Sequence, residues 1–405
     1  MFRTLHAAPR SFPDTRLPLA AAAPPARRWL PKPLSRVAIA AVATFAGLAA
    51  NAVPPTAELI STPNDPLVLG TQPVVDAYVC HISRDGSIVA FRSAAWNLVP
   101  GDTNGEIDVF LRDRVAGTLR RMEHADGRQL RESVIEVKLS GDGEWVSFTT
   151  GEALDPADTN EDVDVYLWHA TDRSFELVSR DAAGAAVGGR VSDVSNTGRY
   201  VSFQSEAPEL SGGSRVRQIY RLDRDTGVMA PISITPGGAF GNDVSDGALL
   251  LGPRFVAFRS AATDLVVADT NAQPDVFVRD LVLESTRRVS VDETGAQLDA
   301  ASFPVGGEVA GAPSVLFYTE AAARSADTNG IADLYRIHLD TGAIVHLSPR
   351  MDGGFRDSGV LTSPAATRNG AGALWAGADG NWSIADDNGE YDIFVAGGPN
   401  MARAV

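Results

Sequence analysis

One acidic phrase recurs along the chain: an aspartate, an asparagine two residues later and a second aspartate four residues after that, followed by apolar residues. Its first aspartates are 56, 111, 58 and 59 residues apart, so the second gap holds two periods. A fixed period of this length is the signature of a repeat protein, in which each unit buries its apolar surface against its neighbours. The five copies are Asp102/Asn104/Asp108, Asp158/Asn160/Asp164, Asp269/Asn271/Asp275, Asp327/Asn329/Asp333 and Asp386/Asn388/Asp392.

The long gap places a sixth copy near residue 212. The acids are absent there, since Gly212, Ser214 and Gln218 stand in their places, but the apolar pair Ile219-Tyr220 still follows. The strand therefore persists where the phrase has been lost, and the sequence predicts six units.

Each unit also carries short strand-like segments on both sides of the phrase. Turns with glycine at their ends, such as residues 83–86, 140–143 and 195–198, precede apolar triplets such as residues 89–91, 146–148 and 201–203. Glycine supplies the positive φ of tight turns, and the triplets are β-branched and aromatic. Four short strands per period without a helical pattern predict the blades of a β-propeller.

The predicted fold is therefore all-β: a six-bladed β-propeller of four-stranded blades. The last unit has no fourth strand, but residues 57–61 match residues 175–179, which form the fourth strand of the second unit. We expect this N-terminal strand to complete the last blade and close the ring, because closure removes exposed sheet edges. The predicted blades lie near residues 74–123, 131–180, 188–236, 241–292, 298–349 and 358–398, the last with 57–61.

Two of these segments carry a resemblance to a known family. The phrase Ser-x-Asp-Gly-x-x-Val-Ala-Phe-x-Ser (residues 83–93) and the phrase Asp-Val-Phe-x-Arg-Asp (residues 275–280) resemble the WD40-like, PD40-type repeats of TolB-like bacterial propellers. The resemblance covers roughly residues 56–398. It implies a propeller fold and leaves the function open, because such propellers do many things.

The N-terminal segment predicts export. Residues 37–50 form an uncharged, apolar run after Arg36, and Ala50-Asn51-Ala52 fits the small-residue pattern of signal-peptide cleavage. The run is too short to span a bilayer comfortably. We predict a leader over residues 1–52, a propeller over 53–405, a periplasmic or extracellular location and no stable membrane span after cleavage. The alternative is an uncleaved membrane anchor.

Charge and motifs exclude several functions. The net charge of −16 argues against nucleic-acid binding, which depends on Lys and Arg. A single cysteine, Cys80, excludes an intrachain disulfide. The six histidines are scattered, and none belongs to a recognisable catalytic motif; His81 is the best placed, in a predicted innermost strand. We predict no catalytic residues, because the paired carboxylates repeat and an active site needs one asymmetric group.

The acidic phrase is the feature most suited to chemistry. Oxygen-bearing side chains at its first, third and seventh positions can surround a hard cation, so all fifteen phrase residues are candidate ligands of Ca²⁺, the one possible cofactor. The phrase lacks a further close acid and a bidentate glutamate, and Asp and Asn also cap turns. We therefore favour structural turns over metal sites.

These observations together predict an exported, non-catalytic binding or scaffold module whose partner is a protein or a polysaccharide. The alternatives are a propeller enzyme, a lyase or hydrolase, with its site at the axial channel, and a surface protein stabilised by calcium.

Overall fold

The computed structural model describes residues 60, 77–308, 313–348, 362–366, 373–377 and 392–396. The predicted leader, most of the closing segment 57–61 and the phrase residues Asp386 and Asn388 lie outside the described residues. Within the described part of the chain, no helix has the length and apolar character needed to cross a membrane.

The described residues form six antiparallel sheets, and each sheet is built from strands that are consecutive in the chain. The first sheet contains β1 (Ala77–Ile82), β2 (Ile88–Ser93), β3 (Asp108–Asp113) and β4 (Thr118–Arg121). The second contains β5 (Glu136–Leu139), β6 (Trp145–Thr150), β7 (Asp164–His169) and β8 (Phe175–Leu177). The third contains β9 (Arg190–Val194), β10 (Tyr200–Ser205), β11 (Gln218–Asp223) and β12 (Val228–Pro231).

The remaining three sheets follow the same order. The fourth contains β13 (Ser245–Leu251), β14 (Phe255–Ser260), β15 (Asp275–Asp280) and β16 (Ser285–Arg288). The fifth contains β17 (Ser302–Glu308), β18 (Ser314–Thr319), β19 (Asp333–His338) and β20 (Ile344–His346). The sixth has three described strands, β21 (Thr362–Ala366), β22 (Ala373–Gly377) and β23 (Asp392–Ala396).

Neighbouring sheets approach each other at their first strands. Contacts join β1 to β5, β5 to β9, β9 to β13, β13 to β17 and β17 to β21, in chain order. Four-stranded meanders that converge on their first strands match a β-propeller. The all-β prediction and the four-stranded repeat unit are confirmed.

The core lies between the sheets. Val109 and Leu111 of the first sheet pack with Phe148 and Tyr166 of the second, and similar clusters join the later sheets. One aromatic pair recurs between the second and third strands of five sheets, with ring centroids 5.5–6.0 Å apart. The pairs are Phe91–Phe110, Phe148–Tyr166, Phe203–Tyr220, Phe258–Phe277 and Phe317–Tyr335. Each of these five sheets is therefore buried on both faces along its third strand.

Tight turns between first and second strands also join neighbouring sheets. Gly86 has φ 76°, as the glycine-containing turn requires, and the N–H of Ile88 donates to Ser83 Oγ at 2.9 Å. The Arg84 N–H then donates to the Gly141 carbonyl of the second sheet at 2.7 Å. The next turn repeats the contact with the third sheet. These bonds fix the spacing of the first three sheets.

The connections from one sheet to the next are small hairpins. Each of the first four has one isolated antiparallel bridge and a glycine with φ of 83–89° at its tip. The bridges are Glu123↔Gln129, Arg180↔Ala186, Ile234↔Phe240 and Val291↔Gln297.

The one helix of the described residues is α1 (Pro208–Ser211), a single turn that the sequence did not predict. It lies immediately before Gly212, whose φ of 70° ends it. In the third unit a helical turn thus lies directly before the position of the first phrase aspartate.

Candidate functional site

The acidic phrase lies on the connection between the second and third strands, at the same end of each sheet. Its last aspartate is the first residue of the third strand in five sheets: Asp108, Asp164, Asp275, Asp333 and Asp392. The side chain of Asp392 is outside the described part of the structure. In the four units whose phrases the structure describes in full, the phrase residues are brought together within a unit.

The asparagine of each described phrase closes a turn. Its Oδ1 accepts a hydrogen bond from the backbone N–H two residues later, at 2.9–3.1 Å, in Asn104, Asn160, Asn271 and Asn329. In three phrases its Nδ2 points at the last aspartate, at 3.4 Å for Asn104, 3.4 Å for Asn271 and 2.9 Å for Asn329. Such an Asx turn places the amide as a donor to the acid.

The last aspartate holds the fourth strand against the third. Asp164 Oδ1 accepts from Ser179 Oγ at 2.6 Å, while the same Oγ accepts the Val165 N–H at 2.8 Å. Ser290 and Ser348 bind Asp275 and Asp333 in the same way. In the third sheet Gln218 Oε1 accepts from Ser233 at 2.6 Å, so the bond survives without the charge.

The first aspartate is held differently from sheet to sheet. The hydroxyls of Tyr166 and Tyr335 donate to Asp158 and Asp327 respectively. In the third sheet the aspartate is replaced by Gly212, and the buried hydroxyl of Tyr220 has no hydrogen-bond partner.

A basic side chain from the fourth strand lies beside some of the acid pairs. Arg121 Nη1 is 3.5 Å from Asp102 Oδ1 and 4.0 Å from Asp108 Oδ2. Arg288 Nη1 is 3.5 Å from Asp269 Oδ1 and 3.4 Å from Asp275 Oδ2. His346 Nε2 is 3.1 Å from Asp333 Oδ1. Registers of the third and fourth strands show that these three residues, with Leu177 and Pro231, occupy one equivalent position.

Burial dominates the acid–base properties of the phrase. Burial raises the pKa of Asp108 to about 7, with further help from the negative charge of Asp102, while Arg121 opposes the rise. Burial also raises the pKa of Asp164, Asp275 and Asp327. Across the described ranges, no three His, Cys, Asp or Glu side chains are grouped as metal ligands. Calcium binding by the phrases stays a prediction.

A second set of residues lies where the first strands meet, and the sequence analysis missed it. Five cross-strand pairs occupy equivalent register positions on the first and second strands, and we call them the axis row. They are Tyr78/Arg92, Glu136/Thr149, Arg190/Gln204, Asp246/Arg259 and Phe303/Tyr318. Unlike the phrase, the axis row does not repeat from unit to unit, so it forms an asymmetric group.

Contacts along the axis row link neighbouring sheets. Arg190 Nη1 is 3.9 Å from Glu136 Oε1, and Arg92 donates to the carbonyls of Val134 and Ile135. These contacts involve the charged residues that the first three sheets contribute to the axis row.

The other half of the axis row combines an ion pair with aromatic rings. Arg259 forms two bonds of 2.8 and 2.7 Å to Asp246, and its guanidinium lies 4.9 Å from the centroid of Phe303. Phe303 stacks on Tyr318 at 4.8 Å. Tyr78 is 54% exposed, so part of the axis row is open to solvent.

A second row, paired with residues two positions earlier on the second strands, contains the histidine singled out from sequence. It consists of His81, Lys138, Asp193, Leu249 and Gly306. Lys138 is half-buried, and its flanking residues Val137 and Leu139 pack into the core, so its ammonium is on the opposite side of β5. In both rows, residues that differ from unit to unit occupy equivalent positions on the strands. This difference could be recognised in the sequence only if the register of the strands were known.

No protein-family model matches the sequence, and no curated protein matches it. Among solved structures, the β-propeller domain of the trilobed protease from Pyrococcus furiosus is 8% identical, with 79% of this chain and 82% of that chain covered and a TM-score of 0.49.

Two further solved structures are similar at a comparable level. Dipeptidyl peptidase 4 of Porphyromonas gingivalis is 13% identical, covering 83% of this chain and 45% of that chain, with a TM-score of 0.45. Oligogalacturonate lyase of Vibrio parahaemolyticus is 12% identical, covering 80% and 90%, with a TM-score of 0.39. The chain thus spans less than half the length of the Porphyromonas peptidase. The assignment of the fold rests on the sheets described above.

Proposed function

We propose that this chain is an exported six-bladed β-propeller that binds a protein or polysaccharide ligand at the axis row. The observation that carries the proposal is the asymmetry of that row. The aromatic pairs of the core repeat from sheet to sheet, whereas Tyr78, Glu136, Arg190, Asp246 and Phe303 differ at one equivalent position. Specific recognition needs a few placed polar groups beside apolar or aromatic surface.

Closure of the ring is part of the proposal and rests on Ile60. This residue is buried and packs with Val89, Phe91 and Phe110 of the first sheet, and its carbonyl accepts from Arg112 Nε at 3.1 Å. Val178, the matching residue after β8, packs in the same way on the third sheet. This shared packing supports the proposal that Ile60 belongs to a segment that completes a preceding blade.

The axis row divides into two halves of different chemistry. Sheets one to three contribute Arg92, Glu136 and Arg190, with Lys138 in the second row below them. Sheet four contributes the ion-paired Asp246 and Arg259, and sheet five contributes the stacked pair Phe303 and Tyr318. A ligand with polar groups on one side and a flat or apolar face on the other fits this division, because aromatic faces stack on sugar rings and on apolar side chains.

The test is a binding screen of the full, fluorescently labelled chain against arrays of oligosaccharides and of peptides. We expect binding to one array, and we expect the variant Tyr78→Ala/Arg190→Ala/Phe303→Ala to lose it. The matched control Arg128→Ala changes an exposed residue of a connecting hairpin and should bind normally. Binding unaffected by the triple variant, with circular dichroism unchanged, would place the ligand elsewhere.

The enzyme alternative would use the same residues, with His81 beside Lys138 in the second row. Incubation of the bound oligosaccharide or peptide with the chain, followed by mass spectrometry, separates the two functions. Recovery of intact ligand supports a binding module, and products that disappear in a His81→Ala variant support an enzyme.

A further inference from the structure

The position that holds Arg121 in the first sheet varies between sheets in step with the acids beside it. Sheets one and four have Arg121 and Arg288 there, and the fifth has His346. The third sheet has Pro231, and it has also lost both aspartates, to Gly212 and Gln218. In these four sheets the acid pair and a basic residue are present together or absent together.

The second sheet breaks this correlation. It keeps Asp158 and Asp164, yet the equivalent position is Leu177, whose side chain packs in the hydrophobic core. Asp158 is 8% exposed and Asp164 is fully buried. Within the described residues, no Lys, Arg or His nitrogen lies within ion-pair distance of either carboxylate. Two buried carboxylates without a cation are costly, since removal from water penalises each charge.

The hydrogen bonds of this pair leave one oxygen without a donor. Asp164 Oδ1 accepts from Ser179 Oγ at 2.6 Å and from the Gly188 N–H at 3.0 Å. Asp164 Oδ2 is buried and, like the buried Asn160 Nδ2 of the same phrase, makes no hydrogen bond of normal geometry. In the fourth sheet the equivalent oxygen, Asp275 Oδ2, is 3.4 Å from Arg288. The unpartnered oxygen of Asp164 therefore corresponds to the one that faces a guanidinium elsewhere in the molecule.

Internal comparison also indicates where a charge would lie. In the first and fourth sheets a single nitrogen, Nη1, lies 3.4–4.0 Å from both carboxylates of the pair. A cation at that place contacts the first and the last aspartate of the phrase at once. Leucine in the second sheet has no group that could supply the charge.

We infer that the second sheet binds a small, hard inorganic cation of the Ca²⁺ class between Asp158 and Asp164, where arginine fills the equivalent place in the first and fourth sheets. Carboxylate oxygens are the ligands that such cations prefer. A site with only two carboxylate ligands binds Ca²⁺ weakly. We therefore expect a dissociation constant of roughly 0.1–1 mM, the range of weak extracellular calcium sites.

The experiment exchanges the residues that distinguish the sheets. Every protein is the full chain carrying Asp386→Asn, so that the phrase at 386–392 does not contribute to the response. After chelator treatment, Tm is measured by calorimetry as CaCl₂ is raised to about 10 mM, well above the expected dissociation constant. Binding to the folded state alone should raise Tm progressively.

Leu177→Arg supplies the missing guanidinium and should abolish the calcium-dependent rise in Tm. Arg121→Leu removes it from the first sheet and should add a second calcium-dependent response, because it leaves the buried carboxylates of Asp102 and Asp108 without a cation. Asp102→Asn, made with Arg121 in place, should leave the response unchanged and serves as the matched control.

A second readout covers the case in which Leu177→Arg does not fold. Tb³⁺, which occupies calcium sites, should show luminescence excited through the tyrosine beside Asp158, and Asp158→Asn should reduce it at least tenfold. The inference is overturned by a Tm of the parent chain that does not respond to calcium. It is equally overturned by a response that survives both Leu177→Arg and Asp158→Asn.

Discussion

Buried phrase aspartates obtain their side-chain hydrogen bonds from serine, tyrosine, asparagine and glutamine, and in the fourth sheet also from arginine. Tyr166 and Tyr335 each donate to a first aspartate, whereas the hydroxyl of Tyr220 is buried without a partner. The three tyrosines occupy equivalent positions, so the chain itself contains the comparison between a paired and an unpaired hydroxyl.

We predict that Tyr166→Phe and Tyr335→Phe each lower the free energy of unfolding by about 1–3 kcal/mol, because each leaves a buried carboxylate short of a donor. Tyr220→Phe should leave stability unchanged or raise it, since it removes a hydroxyl that has no partner. Urea denaturation of the three variants checks this. A loss in Tyr220→Phe as large as in the other two would contradict it.

The pH dependence of stability follows from Asp108. Its pKa of about 7 in the folded protein lies above the ordinary value of 3.8, so the folded state binds more protons between these values. The contribution of Asp108 to stability is therefore present at low pH and falls as pH rises from about 4 to about 7. Asp108→Asn should flatten the stability profile in this window. Tm measured from pH 4 to 8 checks it, and an unchanged slope would contradict it.

At the scale of the strand, the bond between the fourth strand and the start of the third is the recurring device. Ser179 bonds to the carboxylate of Asp164, and Ser233 bonds to the neutral amide oxygen of Gln218 at the equivalent place. Both serines also accept a backbone N–H of the third strand. The two sheets therefore differ mainly in the charge of one acceptor.

We expect Ser179→Ala to destabilise the protein by about 1.5–3 kcal/mol and Ser233→Ala by about 0.5–1.5 kcal/mol, because hydrogen bonds to charged groups are stronger than neutral ones. Thermal or urea unfolding of the two variants checks the order. Equal losses would show that the lost backbone acceptor, common to both, dominates.

Repetition explains which elements could be predicted from the sequence. The triplet at 89–91 lies in β2, and Ile219-Tyr220 lies in β11 although the acids of that phrase are gone. Helix α1 escaped prediction because a single turn has no apolar period. The axis row escaped because bulges, such as the shift between Val79 and His81, change which residues share a face. A bulge depends on how two strands pair, so it cannot be recognised in the sequence of one strand alone.

At the scale of the molecule, the proposed closure of the ring makes Ile60 a test position. Deletion of residues 53–62 should lower Tm by several degrees, because it removes the cover from Val89 and Phe91 and exposes a sheet edge. A synthetic peptide of residues 56–62 added at high concentration should restore part of the loss. Deletion of residues 401–405 is the control and should have little effect. Equal effects of the two deletions would contradict closure by this segment.

The four connecting hairpins, with glycines at their tips, set where a protease would cut. Their tips include exposed residues such as Asp126 and Gly127, and each lies between sheets and not within one. A nick there leaves every sheet with strands that are contiguous in the chain. Limited digestion should therefore give a ladder of fragments differing by one repeat, while the nicked assembly still migrates as one particle until denaturant is added.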